Sequence, residues 1–314
     1  MNTIKNVLLV LFSAVLLVGC SKGKYRKTAG GMPYQLFRGK DTQQVRNGDF
    51  IKISYTYKVN DSIFFTTDGI PATYRQVNSS QISPYDISEL WTSLKLGDSV
   101  ITTQLLDTFI KRDPQSIPPK FKKGDKIITY AKVLAIFKTD TAAQADYEKT
   151  NKDWLSGEMK TIEKFLADKK LTATKTPSGA FVQMLNPGSG NDIDSGKYVS
   201  VRYTGTSWSG KVFDSNTDTV SGVKPAMPFT VGTGSMIKGF DEAVMLMKLG
   251  SKAKVYIPSI LAYAGQPNSP LIKPYEILVF DIEIVDVKDK APTRNDMMNQ
   301  LPPGQKVDAP QPNK

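Results

Sequence analysis

Apolar and polar positions alternate most regularly in the C-terminal half of the chain. Tyr198-Val-Ser-Val-Arg-Tyr203 repeats with a period of two, the pattern of a strand with one buried face. Gly205 and Gly210 bracket a turn, after which Lys211-Val-Phe213-Asp214 resumes the strand pattern. The stretch from Pro228 to Ile237 leads into a short amphipathic helix. Phe240, Ala243, Val244 and Met247 share one face of it, and Gly250 follows its end. Asp241 and Glu242 sit in its first turn, where carboxylates complement the helix dipole. Lys252 to Ile257 reads as another strand, and Tyr263 begins a loop rich in Gly and Pro. A last strand spans Tyr275 to Val287, with Asp281 and Glu283 alternating against Phe280, Ile282 and Ile284. One helix among several antiparallel strands predicts an α+β domain, a sheet wrapped on a helix.

The same pattern occurs earlier in weakened form. Gly31-Met-Pro-Tyr-Gln35-Leu-Phe37 matches Gly179-Ala-Phe-Val-Gln183-Met-Leu185. Ile51, Ile53, Tyr55 and Phe65 match Val199, Val201, Tyr203 and Phe213 at a constant offset of 148. Leu94-Lys-Leu-Gly97 answers Met247-Lys-Leu-Gly250, and Ile127-Ile-Thr-Tyr130 answers Ile277-Leu-Val-Phe280. A shared offset through several elements is the sign of a duplicated unit. In this alignment Thr66 falls at Asp214, Ile87 falls opposite Phe240, and nothing matches Tyr263. The first copy therefore reads as the fold without the site.

Between the copies, Leu155, Met159, Ile162 and Leu166 recur at helical spacing, flanked by Trp154 and Phe165. A helix from 141 to about 170 would extend ~40 Å. Its apolar stripe suits a spacer, packing on either domain, or packing on a second copy of the chain.

The N-terminal stretch has a different character. Lys5 precedes an apolar run from Val7 to Val18, too short to span a bilayer, and Leu17-Val-Gly-Cys20 follows. This reads as a cleaved signal peptide. The Leu-x-Gly-Cys ending resembles the bacterial lipobox, which implies cleavage before Cys20 and acylation of its sulfur. The expected organisation is a signal peptide at 1–19 and a membrane tether at 20–30. A degenerate domain at 31–140, a linker helix at 141–172, a complete domain at 173–288 and a disordered, Pro-rich tail at 289–314 follow.

Composition removes several kinds of chemistry. Lys and Arg number 41 against 30 Asp and Glu, a net charge of +11, but the cations are scattered and form no basic helix, so no nucleic-acid partner is expected. There is no His, and Cys20 is the sole Cys, so Ser-His-Asp, Cys-His and His-metal mechanisms are excluded. No metal or cofactor is expected. Gly232-x-Gly234 opens no dinucleotide motif, because Ile237 replaces the third glycine.

Seven short motifs, in order over roughly ninety residues (about one domain), carry a family resemblance. They are Val201-Arg-Tyr-Thr-Gly205, Val212-Phe-Asp-Ser215, Pro228-Phe229, Ile237-Lys-Gly-Phe240, Met247-Lys-Leu-Gly250, Ala262-Tyr263 and Leu278-Val-Phe-Asp281. This succession resembles the FKBP-type peptidyl-prolyl isomerases. The resemblance implies a pocket walled by Tyr203, Phe213, Phe229, Met236, Ile237, Ile272 and Phe280, with Phe240 as its floor. It further implies that Tyr263 donates to a substrate carbonyl and that Asp214 stands at the rim. Three positions depart from the family pattern: Phe240 where Trp is frequent, Asn268 where eukaryotic members often have His, and an insertion at Ser221-Gly222-Val-Lys-Pro225.

The expected function is prolyl isomerisation assisting protein folding in a bacterial cell envelope. The protein would be lipid-anchored, most simply in the outer membrane facing the periplasm. Its partners would be proline-containing unfolded or nascent envelope proteins, the membrane itself, and a second copy in a homodimer. The competing reading is a non-catalytic, membrane-anchored peptide-binding chaperone or assembly module.

Overall fold

The computed structural model describes residues 25–117, 121–217 and 224–293. The expected signal peptide, Cys20, residues 21–24 of the tether, Pro118 and Pro119, residues 221–223 of the loop insertion and the tail beyond 293 lie outside them. The chain divides into two compact units. One holds residues up to 68 with 72–143, and the other holds 69–71 with 144 onward.

In the first unit, β1 (Arg26–Lys27), β2 (Pro33–Phe37), β3 (Phe50–Val59), β4 (Ser62–Thr66), β5 (Thr73–Gln76), β6 (Ser99–Leu105) and β7 (Lys126–Phe137) form one antiparallel sheet. Their order is β1-β2-β6-β7-β3-β4, with β5 also paired to β3. The short helix α1 (Leu106–Arg112) follows β6, and α2 (Asp140–Asp168) follows β7. The second unit repeats the plan with β8 (Thr174–Lys175), β9 (Phe181–Asn186), β10 (Tyr198–Ser207), β11 (Val212–Ser215), β12 (Met227–Thr230), β13 (Lys252–Ile257) and β14 (Leu278–Lys288). Its order is β11-β10-β14-β13-β9-β8, with β12 on β10 and α3 (Lys238–Val244) against the concave face.

The period-two pattern sets the inner face of both sheets. Ile51, Ile53, Val199 and Val201 are fully buried, as are the patterned helix positions Ala243 and Val244. Side-chain bonds also repeat between the units. The Thr28 hydroxyl accepts from the Met32 N–H at 3.1 Å, and that of Thr176 accepts from the Ala180 N–H at 3.1 Å. Glu89 accepts from the Gly30 N–H at 2.6 Å, and Glu242 from the Ser178 N–H at 3.0 Å. Where the second unit has α3, the first has a 3₁₀ segment, Ile87–Ser93, capped by the Asp86 side chain on the Ser88 N–H at 2.8 Å. Ile87, Thr92 and Ser93 are weak helix formers, which suits the tighter 3₁₀ winding.

Strand register corrects the sequence alignment in two places. Thr56 pairs with Thr66 and Tyr57 with Phe65, whereas Thr204 pairs with Ser215 and Gly205 with Asp214. The second hairpin is one residue longer, so Phe65 rather than Thr66 stands at the position of Asp214, and Phe64 stands at that of Phe213. On the other side, Tyr57 pairs with Thr129 and Gly205 with Phe280. Thr129 therefore takes the place of Phe280. Tyr130 lies instead at the position of Asp281, on the outer face.

These substitutions put a ring where the second unit has Gly205. Tyr57, at the position of Gly205, stacks on Tyr55 at 5.4 Å and lies 6.0 Å from the Phe65 ring. Trp91 packs edge-on to Tyr55 at 6.3 Å. Arg75 pairs with Ile51 as Phe229 pairs with Val199, and its guanidinium lies 5.8 Å from the Trp91 ring centre.

The apolar stripe of α2 is covered within the second unit. Ile162 and Leu166 are buried with Phe181, Tyr256, Ile277 and Val279, and Phe165 fits between Trp208 at 5.0 Å and Tyr256 at 5.7 Å. This half of the helix is a packed part of the domain and not a bare spacer.

Candidate active site

The site is built where β10, β11 and β14 meet α3. Gly205 is the residue that permits this. A Cβ there would lie 2.7 Å from the Phe213 ring and 2.9 Å from that of Phe280. Without one, Phe213 meets Phe280 edge-on at 5.6 Å, and Phe280 meets Phe240 at 5.3 Å. Phe240 also contacts Phe229 at 6.0 Å and Tyr203 at 6.1 Å, so one ring at the base touches three around it. Edge-to-face packing of this kind contributes about 0.5–1.5 kcal/mol per pair beyond area burial.

The apolar and aromatic residues that the resemblance placed in the pocket lie in or against the second unit's hydrophobic core. Phe229, Phe240, Ile272 and Phe280 are buried, while Tyr203, Phe213, Met236, Ile237 and Tyr263 are partly buried and packed against them. Asp214 is exposed at the rim, and the Tyr203 hydroxyl donates to its Oδ2 at 2.5 Å. Burial, then this bond and the charge of Asp214, push the Tyr203 phenol well above its ordinary range. It therefore stays a protonated donor at neutral pH.

Four supporting side chains were not singled out for these roles in the sequence. Asn216 is buried, accepts from the Tyr203 N–H at 2.7 Å and donates to the Val201 carbonyl at 2.9 Å, fixing the start of the loop after Asp214. In a Ser-Asn-Thr stretch it reads only as a turn residue. Asp241 does more than complement a helix dipole: its carboxylate accepts from the Gly232 N–H at 2.9 and 3.0 Å, tying α3 to the loop that carries Met236 and Ile237. Glu242 likewise has definite partners. Burial alone would raise its carboxyl, but the hydroxyl and N–H of Ser178, with Thr176, hold it below the ordinary carboxylate range.

The fourth is Glu158 on α2. It accepts from the N–H of Ser259 at 2.8 Å and from its hydroxyl at 2.9 Å, at the 3₁₀ turn Ser259–Leu261 just before Tyr263. The indole of Trp154, one turn earlier, lies 5.7 Å from the ring of Tyr275 and donates to the Ser259 hydroxyl at 3.2 Å. The loop bearing Tyr263 is thus held at both ends by one helix. Spacing along α2 marks these positions only as neighbours of the apolar stripe.

The family description "FKBP-type peptidyl-prolyl cis-trans isomerase" matches residues 190–285. A peptidyl-prolyl cis-trans isomerase of Schizosaccharomyces pombe is 38% identical over 115 residues, covering 36% of this chain and 97% of its own length. The FK506-binding protein of Neisseria meningitidis is 35% identical over 109 residues, covering 35% of this chain and 96% of its own. The chain belongs to the FKBP-type isomerase family. The chain also resembles part of longer relatives. FK506-binding protein 4 of Mycosarcoma maydis is 41% identical over 131 residues, 41% of this chain and 33% of that protein. The chain spans about a third or less of the length of such relatives. The family match lies wholly within the second unit.

The isomerase domain offers an apolar, aromatic floor with polar groups confined to its rim. Asp214 is exposed beside this floor, and Tyr263 packs against the same core.

Proposed function

We propose that the second unit catalyses cis/trans exchange of X-Pro bonds in polypeptides, and that the cavity works by desolvation and shape. The barrier to be lowered is the conjugation of the amide, about 18–20 kcal/mol, which leaves the uncatalysed reaction at tens to hundreds of seconds. In the twisted transition state the nitrogen lone pair leaves conjugation and the carbonyl loses charge separation. An apolar cavity favours that state over the planar amide, which water solvates better. Each ~1.36 kcal/mol of such preference gives a tenfold gain, so ~5 kcal/mol suffices for a useful catalyst. Tyr263 holds a substrate carbonyl, and Asp214, oriented by Tyr203, faces the partial positive edge of the twisted group.

The observation that carries this reading is the ring cluster under an open rim, with Phe240 in contact with Tyr203, Phe229 and Phe280. We further propose that the chain is anchored by acylation of Cys20 and acts on envelope proteins as they fold. The Leu-x-Gly-Cys stretch after a short apolar run supports this. Acyl chains contribute ~0.8 kcal/mol per buried CH₂.

The test is refolding of a protein whose slow phase is limited by proline isomerisation. Catalytic amounts of the chain should shorten that phase, and Cys20→Ala should move the protein from the membrane fraction to the soluble one. An unaltered slow phase would remove the folding role, and unchanged fractionation would remove the anchor.

A further inference from the structure

The outer faces of the two sheets carry the same grooves at the same register, but their linings differ. In the isomerase domain the cross-strand pairs are ionic. Lys254 faces Asp281 at 2.6 Å and Lys252 faces Glu283 at 3.1 Å, beside a cavity of about 200 Å³. In the first unit the equivalent pairs are Ile101 with Tyr130 and Ser99 with Lys132, and the cavity there is about 470 Å³. Two ion pairs have thus given way to an apolar pair and an unmatched cation. Phe37 and Ile63 extend the apolar lining, and Tyr130 is 37% and Ile63 61% exposed. The Lys58 ammonium lies 5.3 Å from the centre of the Tyr130 ring. The lining holds two ammonium groups, Lys58 and Lys132, and one carboxylate, Asp68.

We propose that this slot binds an extended polypeptide segment that presents an apolar side chain beside carboxylates. Exposed aromatic and aliphatic side chains on a strand face invite self-association, and a solvated sheet face usually carries charges. Here the charged pairs are present in one copy and lost at the same register in the other. Cavities that take a ligand group run from about 300 to 1,000 Å³, a range that includes the first slot but not the second. The excess of ammonium groups over carboxylates selects an acidic segment. The apolar lining between them selects a side chain such as Phe or Leu, and no small anion would use it.

The inference rests on the reading that the chain acts on polypeptides, and it assigns their first contact to the unit in which Tyr57 stands at the position of Gly205. The unit that holds a client there is part of the same chain as the catalytic domain, which raises the client's effective concentration at that domain.

The experiment uses the full chain and a fluorescein-labelled, proline-free peptide, Ser-Glu-Phe-Asp-Ser, so that binding is read independently of isomerisation. Anisotropy should show saturable, salt-sensitive binding, and a peptide with Lys in place of both acids should bind at least tenfold more weakly. The double variant I101K/Y130D reinstates the Lys–Asp pair found at 254 and 281. It should weaken the acidic peptide at least tenfold while leaving exchange of a short X-Pro peptide unchanged. Lys132→Glu should weaken it too and shift preference toward the Lys-flanked peptide. If the double variant does not fold, as judged by circular dichroism, the single variant decides.

Absence of binding at millimolar peptide, or equal binding by the variants, would overturn the proposal while leaving the isomerase reading intact. Capture of the chain by phosphatidylglycerol vesicles, lost in Lys132→Glu and unmatched by the peptide, would overturn it in favour of a membrane contact. A dimer abolished by the same substitution, again without peptide binding, would overturn it in favour of self-association.

Discussion

Glu158, on the helix that follows the first sheet, accepts two hydrogen bonds from Ser259, a hundred and one residues later and four residues before Tyr263. A buried carboxylate held this way couples the linker helix to the loop of the candidate active site. Desolvation raises its pKa against the opposing bonds from Ser259 and Trp154. The fold therefore favours its protonated form. That contribution is fully present below the unfolded value, about 4.5, and is lost as pH rises through the raised folded value. The melting temperature of the native chain should accordingly fall relative to Glu158→Gln between pH 4 and pH 8. A gap between the two proteins that does not change with pH would show that burial does not shift this group.

Tyr263→Phe and Asp214→Ala each remove one polar group from the rim without opening a void. Each should lower kcat/KM for a short X-Pro peptide several-fold, the size expected for a lost hydrogen bond of about 0.5–1.5 kcal/mol. Melting temperatures should stay close to that of the native protein. Activity unaffected by both substitutions would place the chemistry elsewhere in the domain.

Phe240→Ala should act mainly on stability. Its side chain is 1% exposed and touches three other rings, and truncation of such an aromatic costs about 3–5 kcal/mol. Denaturant unfolding of the isomerase domain should show a loss of that order.

Gly205→Ala tests the space that separates the two copies. The new methyl would press on Phe213 and Phe280 at 2.7 and 2.9 Å, tilting both rings into the cavity. Peptide turnover should drop more than tenfold, while overpacking costs only about 1–3 kcal/mol of stability. Turnover close to the native rate would mean that the rings do not shape the catalytic cavity.

Much of this arrangement was legible because strand alternation is strict. Val199 and Val201 could only point inward, and β13 occupies the residues that its pattern marked. The duplication was legible as well, yet its fine register was not. Phe64 and Phe65 are adjacent, so either aligns with Phe213. A turn lengthened by one residue leaves no mark on hydrophobic periodicity. The alternation places Tyr275 in the last strand, but it has a φ of +54° and its N–H donates to the Ala264 carbonyl at 2.7 Å, so it belongs to the loop. Glu158 escaped notice for a different reason. Its partner lies a hundred residues away, and only the packing of α2 on the second sheet brings the two together.

Acceleration of X-Pro exchange by the ring cavity is the property on which the proposed function depends. Magnetisation-transfer NMR on an Ala-Leu-Pro-Phe peptide, with the full chain at substoichiometric concentration, measures it directly. The cis and trans proline signals should exchange measurably faster with the native chain, and Asp214→Ala combined with Tyr263→Phe should remove most of that gain. Exchange no faster than in buffer, with a correctly folded protein at high concentration, would contradict it.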